Sequence, residues 1–408
     1  MTAEPAAQPE RSLGKKLLRR GIVAVLLIAL MLVPGLGLMA LTGQPAATYA
    51  ALATIISVSA ILGGGLRIGL ITAIVVPLLA PLAVIAGLTP ITGAALMVIM
   101  TLTVGRLATF GLHRATMLVP VMLAWPMLSP VPWLPHDAID KVNALLAKHG
   151  TSLADALTAA LGSGSPAAPG GGATGDATAH MITELRMNQT YLTWLVAFFF
   201  IGAIVPVVIG FLLRHRLPAP KLTEHPRSET VPYAIAITAL TGVATFYFLS
   251  NPSLPGGAFM IAVILVLTQV GNDIAWRLTL ERVIGTFVGV AIFMGVNAMV
   301  GSTTFVEVFG LPFPGKIYAI GIAFSVAAIM AKFSPRHWIY YILIVPTTAY
   351  LNAFTVGEAA GLGKARLIDN AVGSALVIVA ALVTLGASHL HARRHPASSP
   401  EQVKASPA

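Results

Sequence analysis

The chain has 408 residues, 56% hydrophobic and 10% charged, with a formal net charge of +10 and no cysteine. Soluble domains carry about a quarter charged residues, so this much apolar surface needs the bilayer as its solvent. The basic excess sits in short loops between apolar runs rather than on one soluble face, which excludes nucleic acid as a partner, and the missing cysteines exclude disulfides and thiolate chemistry.

In chain order, the basic residues Arg11, Lys15, Lys16, Arg19 and Arg20 precede an apolar run from Gly21 to Leu41. A secretory signal has an apolar core of about 7–15 residues and a small-x-small cleavage site. This run is longer and reads as an uncleaved first helix. Twelve apolar stretches reach or approach membrane-crossing length: 22–41, 46–63, 68–87, 90–112, 115–134, 191–213, 232–250, 257–271, 283–300, 317–333, 338–354 and 366–390. Pro77, Pro81, Pro120, Pro206 and Pro346 fall inside them and are expected to kink or break those helices. Between the fifth and sixth spans lies a long outer loop, 135–190. Its first part, Asp137 to Leu161, has helical spacing with Ser152 and Asp155 placed as a capping pair. Gly162 to Thr178 is a low-complexity linker. The loop reads as a passive spacer or as a docking element for an envelope partner. A short basic linker, 214–231, follows the sixth span, and a disordered tail, 391–408, is expected after the last.

Orientation follows from the basic residues. With the N-terminus inside, only Lys141, Lys148, Arg186, Lys316, Lys364 and Arg366 of the 25 Lys and Arg fall outside. That asymmetry obeys the positive-inside rule and requires an even number of spans. Two junctions also recur. Gly63-Gly64-Gly65-Leu66-Arg67-Ile68-Gly69 parallels Gly271 through Arg282-Val283-Ile284-Gly285, and Phe110-Gly111-Leu112-His113-Arg114 parallels Phe333-Ser334-Pro335-Arg336-His337. The expected fold is an all-α polytopic membrane protein of about 12 transmembrane helices, built as two parallel six-helix repeats with both termini cytoplasmic. Its parts are a basic N-terminus (1–21), a first membrane half (22–134 with helix 191–213) and a second half (232–390). Such repeats commonly bracket a substrate path near the midplane.

The second copy of the first junction carries the most specific signal. It reads Arg282-Val283-Ile284-Gly285-Thr286-Phe287-Val288-Gly289 at the entry to an apolar helix. This Arg-x-x-Gly-Thr-x-x-Gly pattern resembles the fusaric acid resistance (FUSC) superfamily, which includes aromatic acid exporters. A second family-like element is Arg366, Asp369 and Gly373 in the last span. The resemblance covers 231–390 and is weaker before it. The large cytosolic domain of many FUSC exporters has no counterpart in the short linker. The resemblance implies an exporter of the bacterial inner membrane, in a compact form, accompanied by a periplasmic adaptor protein.

Gly285 and Gly289 are four apart, the small-xxx-small spacing of a helix packing seam, and Gly373 is read the same way. Thr286 packs beside them or faces a pore. Arg282 is read as a snorkelling anchor at the inner end of its span or as a fixed charge that gathers an anion there. Arg366 and Asp369 are three apart near the outer end of the last span, placed for a salt bridge that closes the outer mouth or for a coupling proton on Asp369. Arg106 lies about two turns inside the fourth span. Gln269, Asn272, Asn297, Thr347, Thr348, Asn352 and Asn370 are candidate path-lining or interhelical groups. No Walker A pattern, catalytic set or metal-ligand spacing stands out, so neither enzymatic activity nor a cofactor or metal is expected.

The sequence thus points to export of small organic anions, aromatic carboxylates in particular, with Arg106, Arg282 and Arg366 compensating the anion's charge. Two alternatives stay open: a passive anion channel on the same fold, and a non-transporting scaffold subunit of an envelope complex. The partners implied are membrane lipid, the anion, the adaptor and, left open, a second copy of the chain.

Overall fold

A computed structural model of the chain describes residues 13–128, 130, 183–215, 219–220, 222–251, 257–268, 270, 272–300, 305–308, 311–332, 337–351, 363, 367–380 and 382. The segments 137–161, 162–178 and 391–408 singled out above lie outside the described residues.

The helices are α1 (Leu13–Thr42), α2 (Tyr49–Gly64), α3 (Leu66–Ala86), α4 (Pro90–Leu107), the short α5 (His113–Thr116), α6 (Leu118–Leu128) and α7 (Gln189–Leu212). After the linker come α8 (Arg227–Ser250), α9 (Gly257–Leu267), α10 (Asn272–Val300), α11 (Gly315–Lys332), α12 (His337–Leu351) and α13 (Leu367–Ala380). Among the described residues, seven helices are long and apolar enough to cross a membrane, the last of them Leu280–Val300 within α10. The protein is therefore a helical membrane protein. The other predicted spans coincide with α6, α9, α11, α12 and α13, which are shorter. One feature departs from an all-helical chain. Phe305–Val308 (β1) pairs antiparallel with Leu311–Pro314 (β2) in the loop between α10 and α11, where Val306 and Val308 favour extended backbone.

The outward faces are the most apolar. On α3, Leu70, Ile74, Leu78 and Leu82 recur every four residues and are all exposed. A water-soluble protein would bury that stripe; here lipid covers it. The inward faces use small residues and hydroxyls, because apolar side chains gain little by leaving lipid for a helix interface. Gly202 of α7 leaves room for the Ala50 backbone of α2. Beside it, Thr54 Oγ1 donates to Gly202 O and Ser57 Oγ to Ala203 O, both at 2.8 Å. Gly105 of α4 meets Ala234 of α8, and the Thr241 and Thr101 hydroxyls join across the same seam at 3.3 Å. The core of the N-terminal helices is then filled by Tyr49, Met97, Leu123, Met127, Tyr191, Phe198 and Phe199.

Pro77 and Pro81 lie inside a continuous α3, Pro206 inside α7 and Pro346 inside α12, so none of them ends its helix. Pro120 sits in the first turn of α6, where its missing N–H costs nothing. The breaks expected from these prolines are absent among the described residues.

At the end of the bundle where α2 meets α3, the central linker lies across two glycine turns. Gly65 (φ 85°) faces Pro220, and Gly111 (φ 71°) presses on the Thr223 backbone. Both glycines hold left-handed backbone that a side chain would strain.

Candidate functional site

Two glycines of α10 set the geometry of the site. A Cβ at Gly285 would stand 2.7 Å from Tyr341 Cβ and 2.9 Å from Trp338 O, and one at Gly289 would run into the Ile342 backbone. With hydrogen in its place, α10 and α12 approach backbone to backbone. One turn before this seam, Arg282 is drawn over the Tyr341 ring, its Cζ 5.5 Å from the centroid. Its Nε donates to Asn370 Oδ1 of α13 at 3.1 Å. Arg282, Thr286, Tyr341, Ile344, Val345, Thr348 and Asn370 enclose a small cavity of about 50 Å³. No salt bridge joins Arg282 to a carboxylate among the described residues.

The heights of these groups follow from their neighbours. Gly285 meets Tyr341, and the Phe293 and Tyr350 rings meet edge to face at 4.9 Å, so α10 and α12 run parallel. Phe293 also fills the space beside Gly363, while Arg282 bonds Asn370, so α13 runs antiparallel to both. Arg282 is ten residues into α10, about 15 Å from its start at the usual helical rise. It is also the third residue of the apolar stretch Leu280–Val300, at the start of the part of α10 long enough to cross a membrane.

This corrects one part of the sequence reading. Hydropathy put Arg282 at the inner mouth and Asp369 near the outer one, on opposite sides of the membrane. The structure brings Asp369 and Asn370 to the height of Arg282, because Gly373 seats α13 against Val263 and Met260 of α9. Asp369 is 2% exposed and adjoins the amide that holds Arg282. Asp369 is thus next in sequence to the residue that holds Arg282, and it does not border the cavity.

The other expected residues are placed as follows. Thr286 is buried and lines the cavity. Arg106 is exposed in the last turn of α4, about one turn before the end of the stretch Pro90–Phe110 rather than two. It does not border the cavity. Asn272 opens α10. Gln269, Arg366 and Asn352 lie outside the described residues. Tyr341 was missed. Its signal was present, because the Tyr340-Tyr341 pair interrupts an otherwise aliphatic face one turn into α12.

A hydrogen-bonded guanidinium over an aromatic face, with hydroxyls nearby, has the chemistry to accept one carboxylate head. The cavity holds a few waters' worth of volume by the usual measure of about 10–15 Å³ per water. That volume is smaller than an aromatic ring needs.

Near the linker, the His113 ring stands edge-on to His225 at 5.4 Å and to Tyr233 at 6.0 Å. His225 Nδ1 is 3.3 Å from Glu229 Oε2. Burial, helped by the Arg114 and His225 charges, holds His113 down at about 4, so it is neutral at neutral pH.

Comparison with protein-family models, with curated proteins and with solved structures returns no match for this chain.

Proposed function

We propose that the protein is an inner-membrane efflux transporter of small organic anions, aromatic carboxylates above all, of the FUSC type. The observation that carries this reading is Arg282. A cation in the first turn of a membrane-length apolar stretch is costly to enclose, and this one lines a cavity with an amide and an aromatic ring as partners. That arrangement suits an anion that arrives and leaves. The neighbouring Asp369 carries the coupling proton: its height beside Arg282 lets protonation of one group and anion binding at the other act on each other. A small cavity in place of an open pore favours a carrier over a channel. Export in partnership with a periplasmic adaptor remains part of this reading through the family resemblance.

In this reading the chain crosses the membrane twelve times, as two parallel six-helix repeats. The neighbour pattern supports it. In the N-terminal set, α7 packs on α2 and α3, and α6 packs on α3 and α4. In the C-terminal set, α13 touches α9 and α10, and α12 packs on α10 and α11. The crossed pairs match as well, α4 with α8 and α11 with α1.

The test is retention of labelled aromatic and aliphatic carboxylates in cells with and without the protein, repeated after the proton gradient is collapsed. Gradient-dependent loss of one class establishes the exporter. Loss that follows the cargo's own gradient replaces it with a channel, and no difference with the protein in the membrane replaces it with a scaffold.

A further inference from the structure

The seam between α4 and α8 opens on one side into a cleft of about 550 Å³, a ligand-sized volume. Small residues on both helices, Ala94, Ala95, Ala239 and Gly242, leave the space. Leu102, Ile235 and Phe246 stand around it, all exposed on the apolar outer face. Thr238 supplies the one hydroxyl of the lining, and its oxygen is buried, so the surface offered is hydrocarbon.

The two helices run antiparallel, since Gly105 meets Ala234, Thr101 meets Thr241 and Gly93 meets Leu249. From Ile235, level with Gly105, to Phe246 the cleft is about 16 Å long at the usual helical rise. That is about half of the 30 Å hydrocarbon core, the share of one leaflet. Two exposed arginines stand at its linker end. Arg106 follows Leu102 by four residues and so shares its face of α4. Arg227 opens α8, four residues before the exposed Val231 and eight before Ile235 on the same stripe. By helical rise it lies about 10 Å farther out than Arg106. Neither guanidinium is in a salt bridge among the described residues, and Glu229 faces His225 at 3.3 Å. On the helix ends around the linker, Glu224 and Glu229 are outnumbered by Arg67, Arg106, Arg114, Arg214 and Arg227, all exposed.

We propose that this cleft holds one acyl chain of an anionic phospholipid, with the lipid's phosphate between Arg106 and Arg227. The hydrocarbon lining suits a chain, its length suits one leaflet, and the charge at one end suits the headgroup. A helix about 10 Å across fills about 1,250 Å³ over 16 Å, more than twice the cleft, so a helix of a second copy does not enter it. A two-fold contact here would also gather the same arginines of both copies at one end. Boundary lipid of any kind can wet the cleft, and the arginines supply the preference. An anionic headgroup gains about fivefold per arginine near the surface, so about 25-fold over a zwitterionic one. The bound chain splints the contact through which α8 leans on α4. The site shares no residue with the Arg282 cavity and does not depend on the transport reading.

The experiment is native mass spectrometry of the delipidated full chain, titrated with phosphatidylglycerol and with phosphatidylcholine of the same acyl chains. The first phosphatidylglycerol is expected to bind about 25-fold more tightly than the first phosphatidylcholine. Arg106→Gln and Arg227→Gln are each expected to weaken phosphatidylglycerol about fivefold and to leave phosphatidylcholine unchanged. Ala239→Phe and Ala95→Phe place a ring in the cleft from exposed positions on opposite helices, and each is expected to weaken both lipids alike. Phosphatidylglycerol with a photoreactive acyl chain is expected to label 94–102 and 235–246. Equal affinity for the two lipids, unmoved by the arginine variants, overturns the proposal and leaves ordinary boundary lipid. Labelling confined to other helices overturns it too. Dimers that Ala239→Phe abolishes would overturn it by assigning the cleft to a second copy of the chain.

Discussion

The final helices of the two sets, α7 and α13, are seated alike and filled differently. Each meets the second helix of its own set at a glycine, Gly202 against Ala50 and Gly373 against Val263 and Met260. One turn earlier, α7 carries Phe198 and Phe199, both fully buried, with Phe199 stacked on Tyr49 at 5.8 Å. At the corresponding place α13 carries Asp369 and Asn370, 2% and 4% exposed. One packing device thus supports a dry aromatic plug in the N-terminal set and a polar site in the C-terminal set. The comparison teaches that one glycine seat tolerates opposite kinds of side chain in the turn before it.

The most severe way to break this difference is to carry the polar turn into the plug. Phe199→Asn removes a fully buried ring and leaves an amide without partners. It is expected to destabilise the protein by about 3–5 kcal/mol, read as a lowered midpoint of thermal unfolding in detergent. The converse change sharpens the comparison. Asn370→Asp gives Arg282 a permanent carboxylate of its own and occupies the charge an anion needs. Export from vesicles is expected to fall about a hundredfold, the scale of losing a bond to a charged group, while thermal stability stays near wild type. A variant that exports normally would show that Arg282 does not bind cargo.

The glycine seats themselves are expected to differ. Gly202→Ala drives a methyl into the α2 backbone and is expected to cost about 2–3 kcal/mol. At Gly373 the methyl would lie 2.9 Å from Val263 Cγ1, a side chain that can turn aside, so Gly373→Ala is expected to cost about 1 kcal/mol. Equal midpoints for the two variants would contradict the contrast drawn here.

The smallest effect is pH-dependent and lies at the linker. His113 binds its proton less tightly when folded than when unfolded, where its pKa is near 6.5. Between about 4 and that value the unfolded chain holds more protons, so the stabilisation present above the upper value is lost as pH falls through the window. The unfolding midpoint is expected to drop across that range and to drop less in His113→Gln.

Much of the fold was legible because lipid leaves a strong signature in sequence. Apolar length located the helices, and the Gly285 and Gly289 spacing marked a place where two helices touch. Depth was not legible. Hydropathy records where a segment is apolar, but α10 and α13 are joined through Arg282 and Asn370 while Gly373 seats α13 on α9, and neither contact can be read from apolar length. Arg106 lies nearer the end of its span than the apolar run suggested, since the helical stretch stops at Phe110. Arg186 gave no distinguishing signal. An arginine at the entry to a span looks like any interfacial anchor until the Met127 carbonyl, distant in sequence, accepts its hydrogen bond.

The crossed pairs have a mechanical consequence. α8 opens the C-terminal set yet lies along α4, and α1 opens the N-terminal set yet leans on α11. Each set therefore lends its leading helix to the other, like two hands clasped at the thumbs. The strap over Gly65 and Gly111 adds a third attachment at one end only. A chain so riveted cannot swing apart as two shells. In the proposed carrier, access to the cavity is expected from α10, α12 and α13 moving against that frame, and a chain cut in the linker is expected still to purify as one particle.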